Sequence, residues 1–296
     1  MNSHVDCIAC IVNKANELAD KYITRKRDKY SFINKVLLEI AQTDEEKMAP
    51  YVISRVMRLL TDITGISDFY AEEKQLFNHQ MLDMEEDIKR ILSKADDCFL
   101  DTLKLAMAGN VVDFGAYSHM TIDRVKAIME KTIDSSIEHD TYEKLLTALQ
   151  DARTLVYLSD NTGEIVFDKL FLAEIKKKYP SLDIYLATRG KPALNDATEK
   201  DAYDVGIQEY ATIINNGTDI PGTDLNEVSH AFKDKFNQAD VIIAKGQGNF
   251  ESLCGSGYNI FYLFLCKCAM MTKRMEKENL SPMFMHELSM VNPLAY

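Results

Sequence analysis

The fold is decided by Thr154-Leu155-Val156-Tyr157-Leu158-Ser159-Asp160-Asn161-Thr162-Gly163-Glu164, where an apolar run ends in a polar turn. A helical pattern follows, which places a carboxylate and an amide at the exit of a strand. In an open α/β sheet, ligands bind beyond the carboxyl ends of the strands, and the next helix turns its free N–H groups toward them. Asp160 and Asn161 therefore predict a metal or phosphate site. A helix cap or turn is the competing interpretation, because Asp and Asn favour those positions too.

Short β-rich runs separated by helical patterns continue after this stretch. They occupy residues 155–158, 184–188, 210–214, 241–244 and 260–265. Such an alternation is typical of a mainly parallel sheet with helices on both faces. The sequence therefore predicts a three-layer α/β domain from residue 153 to residue 296.

Helical patterns dominate the chain before residue 153. Gly65 and Pro50 are the only glycine and proline before residue 109, and apolar positions recur at helical spacing. Residues 81–108 are predicted to form one continuous helix that ends at Gly109-Asn110, and helical character returns at 121–152. We predict a helical N-terminal subdomain (1–152) that joins the α/β subdomain (153–296) without a linker, as one integrated enzyme unit.

Composition narrows the possible partners and location. The 296 residues are 46% apolar, enough for a sizeable core, and the net charge of −12 argues against nucleic acid or an anionic membrane as partner. Apolar runs fall short of the roughly 20 residues that span a bilayer. Six cysteines without a signal peptide predict free thiols in a reducing cytoplasm. The oligomeric state is left open.

Two further polar elements follow predicted strands. Residues 188–198 bring Asp196 just beyond the second strand, so a second carboxylate is expected in the same crevice. Lys245-Gly246-Gln247-Gly248-Asn249-Phe250-Glu251 follows the fourth strand. Glycines beside a lysine let backbone and ammonium approach a phosphate together. Neither a Walker A motif nor a full dinucleotide fingerprint is present.

These elements resemble those of the damage-control phosphatases, or ARMT-like domain proteins, which are metal-dependent enzymes. Four stretches carry the resemblance, namely residues 109–115 (GNVVDFG), 160–164 (DNTGE), 192–198 (PALNDAT) and 245–251 (KGQGNFE). Cys7-Ile8-Ala9-Cys10 is similar to the Cys-x-x-Cys of the branch common in microbes. The resemblance implies a helical bundle joined to a larger α/β domain, with Asp160, Asn161 and Asp196 as metal ligands.

The residue types fit that chemistry independently. Two carboxylates and an amide carbonyl are hard oxygen donors, which favour Mg²⁺ or Mn²⁺, although Co²⁺ or Ni²⁺ can occupy such a site. The metal would act as a Lewis acid on a phosphoryl group. Lys245 and Gly246 would contact the phosphate, together with backbone N–H groups of Thr162 and Gly163. A metal-activated water is the favoured nucleophile, with Asp160 itself as the alternative.

Other residues are assigned to the substrate pocket by the resemblance. Asn110 and Asp113 would reach it from the helical side, although a capping turn is an equally ordinary role for this glycine-flanked loop. Asn249 and Glu251 can orient substrate hydroxyls, or Glu251 can cap the next helix. Arg189 is also considered for this pocket, although an arginine after a strand often only pairs with a surface carboxylate. The remaining assignments to the phosphate and substrate are Glu164 and Asn195.

Cys7 and Cys10 lie three residues apart, and His4 precedes Cys7 by three, so all can share part of one helical face. A second metal or a redox pair is conceivable there, but a metal site needs more ligands. A structural role is the competing interpretation.

The leading hypothesis is a metal-dependent phosphohydrolase that acts on small phosphorylated metabolites, such as sugar phosphates or damaged cofactor intermediates. One alternative is an S-adenosylmethionine-dependent protein carboxyl methyltransferase, which the missing glycine-rich loop after the first strand disfavours. Another alternative is a non-catalytic regulator that binds a metal or metabolite at Asp160 and Asp196 without turnover.

Overall fold

A helical region precedes the sheet in the computed structural model, which describes residues 5–44, 47–109, 123, 127, 132 and 137–290. Its described helices are α1 (Val5–Tyr22), α2 (Lys26–Gln42), α3 (Ala49–Thr64), α4 (Ala71–Asp83), α5 (Glu85–Leu92), α6 (Cys98–Ala108) and α7 (His139–Asp151). Helix α7 agrees with the end of the segment predicted to be helical at 121–152. Most of the rest of that segment lies outside the described residues.

The single helix predicted for residues 81–108 is wrong, because the chain turns twice within it. Met84 lies between α4 and α5, and residues 93–97 separate α5 from α6. The side chain of Asp97 accepts a hydrogen bond of 3.0 Å from the backbone N–H of Leu100, which caps a new helix. The apolar repeat therefore continues across two breaks, the second of which has Asp97 as its side-chain cap.

The sheet contains six strands among the described residues. They are β1 (Thr154–Leu158), β2 (Asp183–Thr188), β3 (Thr212–Asn215), β4 (Val241–Lys245), β5 (Ile260–Cys266) and β6 (Ser281–His286). Their order is β3-β2-β1-β4-β5-β6, with every pair parallel except β5 and β6. The predicted mainly parallel sheet is confirmed. Strand β6 was not predicted, and its Pro282 is compatible with an edge position.

Helices cover both faces of the sheet. The elements between the strands are α8 (Glu164–Lys178), α9 (Glu199–Asp204), α10 (His230–Asn237), α11 (Gly246–Leu253) and α12 (Ala269–Met275), and short 3₁₀ turns occupy Ile207–Glu209 and Glu287–Ser289. Helix α8 ends in Lys176, Lys177 and Lys178, as predicted. Cations at this end suit the negative pole of the helix dipole.

Alternate residues of each strand enter two different cores, because successive side chains in a strand point to opposite faces. Leu155 and Tyr157 of β1 pack with α4 to α8 on one face. Val156 and Leu158 pack with α10, α11 and α12 on the other. This two-sided burial makes the domain three-layered.

Helices α1, α2 and α3 form a third hydrophobic cluster around Phe32, Val56 and Leu60. Helices α4 to α7 instead share the core of the sheet. The predicted boundary at residue 152 therefore does not coincide with a division of the core, which lies near residue 70.

Across the described residues, no helix has the length and apolar character needed to traverse a bilayer.

The core on the α8 face depends on Phe171, which is fully buried and contacts the rings of Phe99 and Tyr157. We predict that Phe171→Ala lowers the free energy of unfolding by about 3–5 kcal/mol, because it removes buried area and leaves a cavity. Urea denaturation measures the change. Tyr30→Ala, at a position 72% exposed, is the control and should change stability by less than about 0.5 kcal/mol. Equal losses in both variants would contradict this packing.

Candidate functional site

The candidate site lies where the strand order reverses. The chain builds outward from β1 through β2 to β3, and then returns to place β4 on the other side of β1. The connections after β1 and β4 therefore leave the sheet in opposite directions, which opens a crevice beyond their carboxyl ends. Asp160 follows β1 and Gly246 follows β4, so both lie at this reversal.

Backbone pairing brings the predicted metal ligands together. The N–H of Thr162 donates to the carbonyl of Asn195 at 3.0 Å, and the N–H of Ala197 donates to the carbonyl of Asp160 at 2.8 Å. These two bonds make Asn161 and Asp196 directly opposed partners in an isolated antiparallel bridge. The loops after β1 and β2 thus form a short ladder that carries all three residues.

Arg189 lies beside both site carboxylates, so the alternative of a surface ion pair is wrong. Its side chain is 2% exposed, and its Nε donates to Asp196 Oδ2 at 2.6 Å. Its Nη2 is 3.9 Å from Asp160 Oδ1. Burial, and next the charge of Asp196, raise the pKa of Asp160 well above its ordinary value, while Arg189 acts in the opposite direction. Burial also raises the pKa of Asp196.

Lys245 is committed to an ion-pair network beneath the crevice. Its fully buried ammonium donates to Glu164 Oε1 at 2.6 Å and to Asp168 Oδ1 at 2.5 Å. The hydroxyl of Tyr157 donates to Asp168 Oδ1 at 2.7 Å. Burial raises the pKa of Asp168 to about 6, although Lys245 opposes the shift. The predicted phosphate contact of Lys245 stays a prediction, and its observed role is to neutralise two buried carboxylates.

The amide of Asn161 links this network to the crevice. Its Nδ2 donates to Asp160 Oδ2 at 2.7 Å and to Glu164 Oε2 at 3.3 Å. The side-chain nitrogen therefore faces the carboxylates, which orients the amide group. Glu164 consequently accepts hydrogen bonds from both Asn161 and Lys245.

The predicted use of the Thr162 and Gly163 N–H groups differs from what the structure shows. Thr162 donates to Asn195, and the N–H of Gly163 donates to Asn78 Oδ1 at 2.7 Å. Asn78 lies on α4, and its Nδ2 donates to Asp201 Oδ1 at 3.1 Å. These groups therefore hold the two ligand loops against each other and against α4. A donor that is already paired inside the protein is not available to an anion.

Gly246 allows the loop after β4 to lie against Asp160. Its φ is +78°, and a Cβ at this position would collide with the Asp160 carboxylate. Only glycine satisfies both demands without strain. Gly248 is similarly confined, because its Cβ would meet the carbonyl of Pro221.

Asn249 and Glu251 are placed differently from each other. Asn249 is fully buried, and its Nδ2 donates to the carbonyls of Lys245 and Ser159 at 2.7 and 3.2 Å. It thereby joins the ends of β4 and β1. Glu251 accepts a hydrogen bond of 2.6 Å from Gln247 Nε2, and burial raises the pKa of Glu251. Both side chains thus bind protein groups, and their assignment to substrate stays a prediction.

The predicted residues Asn110, Asp113 and His4 lie outside the described residues. Cys7 and Cys10 lie on α1, and Cys7 packs against the core that contains Val156 and Leu158. Within residues 5–44, 47–109 and 137–290, no group of three or more His, Cys, Asp or Glu side chains is arranged to hold a metal. A metal at the crevice would therefore need the Asn161 amide as well as the two carboxylates.

The charge balance nevertheless fits a divalent cation. Six ionisable side chains at least nine-tenths buried surround the crevice and the network below it, namely Asp160, Glu164, Asp168, Asp196, Arg189 and Lys245. Four are acids and two are bases, so two negative charges remain when all six are ionised. Uncompensated buried charges cost several kcal/mol each. A divalent cation beside Asp160 and Asp196 would supply the missing charge, with the hard oxygen ligands that such ions prefer.

Sequence reasoning missed Asp168, Asn78 and Thr223, and it left the role of Arg189 open. Asp168 has a readable signal, because it lies one helical turn after Glu164 on α8 and shares its face. Asn78 and Thr223 carry no comparable local signal, since their partners are distant in the sequence. Thr223 donates to Asn249 Oδ1 at 2.8 Å and is buried beside Arg189.

Comparisons with known proteins bear on the family of this chain. Residues 3–281 match the family described as the damage-control phosphatase ARMT1-like domain. An uncharacterized protein of Methanocaldococcus jannaschii is 34% identical over 276 residues, covering 89% of this chain and 88% of that protein. A damage-control phosphatase of Pyrococcus horikoshii is 30% identical over 281 residues, covering 93% and 95%. The resemblance stated from the motifs is therefore confirmed.

A solved structure supports the fold. The crystal structure of a DUF89 family protein from Pyrococcus horikoshii superimposes with a TM-score of 0.86 at 27% identity, covering 97% of this chain and 99% of that one. The predicted fold class is thereby confirmed.

The close approach of Gly246 to Asp160 yields a matched test. If Asp160 is a metal ligand, Mn²⁺ should raise the melting temperature of the wild type, and we predict that Gly246→Ala abolishes this rise because the new methyl group displaces the carboxylate. Gly257→Ala is the control, since Gly257 has a similar φ of +77° but open space around it. That variant should lose only the cost of a strained backbone, about 1–2 kcal/mol, and keep the Mn²⁺ response. Identical Mn²⁺ responses in the two variants would count against Asp160 as a ligand.

Lys245 offers a second test by its removal. We predict that Lys245→Met lowers the free energy of unfolding by about 3–5 kcal/mol, because Glu164 and Asp168 lose their buried counter-ion. Adding Asp168→Asn should restore part of the loss. Chemical denaturation at neutral pH measures both, with the exposed Lys200→Met as a control expected to cost less than about 0.5 kcal/mol. No difference between Lys245→Met and Lys200→Met would refute the network.

Proposed function

Because the chain belongs to the damage-control phosphatase ARMT1-like domain family, we propose that it is a metal-dependent phosphohydrolase of small phosphorylated metabolites. The observation that carries the proposal is the ladder that sets Asn161 opposite Asp196 with Asp160 alongside, at the reversal of the strand order. The match spans residues 3–281, so it includes every element of this site. Relatives from Pyrococcus horikoshii and Archaeoglobus fulgidus are named damage-control phosphatases.

Asp160, Asn161 and Asp196 would hold a divalent cation, either Mn²⁺, Mg²⁺, Co²⁺ or Ni²⁺. Bound there, the cation would supply Lewis-acid activation of the phosphoryl group and offset the negative field of the protein. The chain's own part is to keep the ligands oriented. Asn161 Nδ2 donates toward Asp160 and Glu164, so the Asn161 amide would make a half-turn to present its carbonyl oxygen to a cation shared with Asp160.

The surroundings of the ligands support a preorganised, largely dry site. Asp160 is 8% exposed and Asp196 is 3% exposed, so electrostatic interactions there are stronger than in water. The buried side chains of Lys245 and Asn249 fix the end of β4 next to β1. Little reorganisation is then needed when a phosphorylated substrate arrives, which is the main source of electrostatic catalysis.

The chain's acidity bears on the class of substrate. A net charge of −12 repels anions in general, so a phosphorylated substrate needs a local cation to bind. Small metabolites fit this proposal better than phosphorylated proteins or nucleic acids, because a single local phosphate contact can orient them. The proposed substrates are sugar phosphates or damaged cofactor intermediates.

We predict that the protein hydrolyses p-nitrophenyl phosphate and loses this activity in EDTA. Removal of the cation withdraws the charge that balances Asp160 and Asp196 and binds the phosphoryl group. Readdition of Mn²⁺, Mg²⁺, Co²⁺ or Ni²⁺ after removal of the chelator should restore turnover, measured by release of p-nitrophenolate. Full activity in EDTA, after exhaustive dialysis, would exclude a metal-dependent reaction.

A second prediction concerns the ligands themselves. Asp160→Asn and Asp196→Asn should each lower kcat/KM by about 100-fold or more, because an amide replaces a charged ligand of similar shape. Circular dichroism checks that the variants are folded. Asp234→Asn, at an exposed position on α10, is the matched control and should leave kcat/KM unchanged. Wild-type rates in both site variants would show that the site is elsewhere.

The same preparation separates the alternative functions. Calorimetry with S-adenosylmethionine tests the methyltransferase, which requires binding of that cofactor. A protein that binds Mn²⁺ at Asp160 and Asp196 but turns over no member of a phosphorylated-metabolite panel would instead be a regulator.

A further inference from the structure

Arg189 has a buried donor that the protein does not use. Its Nη2 has no hydrogen-bond partner among the residues that the structure describes. The nearest acidic oxygen, Asp160 Oδ1, is 3.9 Å away, which is too far for a hydrogen bond. A buried N–H group without an acceptor is costly and calls for an explanation.

The other nitrogens of the guanidinium are held in place. Nε donates to Asp196 Oδ2 at 2.6 Å, and Nη1 lies 3.3 Å from Asn249 Oδ1 and 3.4 Å from Thr223 Oγ1. Asn249 and Thr223 are themselves buried and bonded to each other. The guanidinium plane is therefore fixed. Nη2 lies on the Asp160 side but is enclosed, so a phosphoryl oxygen reaches it only when neighbouring side chains move aside.

The two cations of the site differ in what they can offer. Lys245 is enclosed between Glu164 and Asp168, and its ammonium already neutralises them. Arg189 is also paired, but its planar fork keeps one nitrogen unused. A guanidinium suits oxyanion recognition because its donors are charged, directional and geometrically fixed.

We propose that Arg189 binds the phosphoryl group of the substrate, with Nη2 donating a hydrogen bond to a phosphoryl oxygen next to Asp160. This proposal rests on the proposed phosphatase function and assigns the phosphate contact to a residue outside the Lys245 loop. The phosphoryl oxygen supplies the acceptor that Nη2 lacks, and the cation offsets negative charge that a substrate adds to an acidic pocket. Arg189 is then a residue that touches substrate, not only one that orients Asp196.

The test measures binding of inorganic phosphate by calorimetry in saturating Mg²⁺, so that altered metal affinity does not enter the result. Arg189→Lys keeps the positive charge but removes Nη2 and the fork. It should weaken phosphate binding by about 10- to 100-fold, as expected for a charge-assisted hydrogen bond. Lys191→Met is the control, because it removes an exposed cation from the same loop and should change the phosphate affinity less than about twofold.

A phosphate affinity of Arg189→Lys within about twofold of wild type would overturn the proposal. If wild type itself neither binds phosphate nor hydrolyses p-nitrophenyl phosphate with any of the four metals, the proposed function fails instead.

A second variant keeps the proposal testable if Arg189→Lys does not fold. Thr223→Val has the same shape but removes the hydroxyl beside Nη1, which loosens the guanidinium without removing Nη2. It should weaken phosphate binding more than Lys191→Met does and less than Arg189→Lys does. If Arg189→Lys does not fold, a Thr223→Val affinity equal to wild type overturns the proposal.

Discussion

Two backbone hydrogen bonds between the loops after β1 and β2 are the constraint on which the site depends. Thr162 donates to Asn195, and Ala197 donates to Asp160. Backbone pairs of this kind set the spacing of the paired residues independently of any ligand. The proposed metal ligands are thus adjacent because the main chain holds them, and the side chains around them only refine the orientation.

Burial of charge is the cost of this arrangement. Four buried carboxylates share one region with Lys245 and Arg189, and the raised pKa values of Asp160, Asp168 and Asp196 reflect their desolvation. A protein that only needed stability would be served equally well by apolar residues at these positions. The retained charge supports the proposal that a divalent cation and an anionic group bind in this crevice.

The helical region takes part in the site and is not merely appended to it. Asn78 of α4 accepts a hydrogen bond from Gly163 and donates one to Asp201. It thereby connects α4 to the loop after β1 and to helix α9, which follows the loop after β2. Helices α4 to α7 also bury their apolar faces in the core of the sheet. The small cluster of α1 to α3 is the part with a core of its own. Substitutions in α4 are consequently expected to reach the chemistry, although α4 contains no predicted ligand.

The sequence by itself determined the fold class and the strand-end positions of Asp160, Asn161 and Asp196, because apolar alternation, helical periodicity and turn residues are local signals. It could not determine the breaks near Met84 and residue 97, because the apolar repeat continues across both of them. Only the tertiary structure decided the partners of Lys245, which are 81 and 77 residues away along the chain. It also decided that Arg189 is buried. Such pairs form when the strand order brings distant loops to one crevice, and no local pattern records which loops will meet.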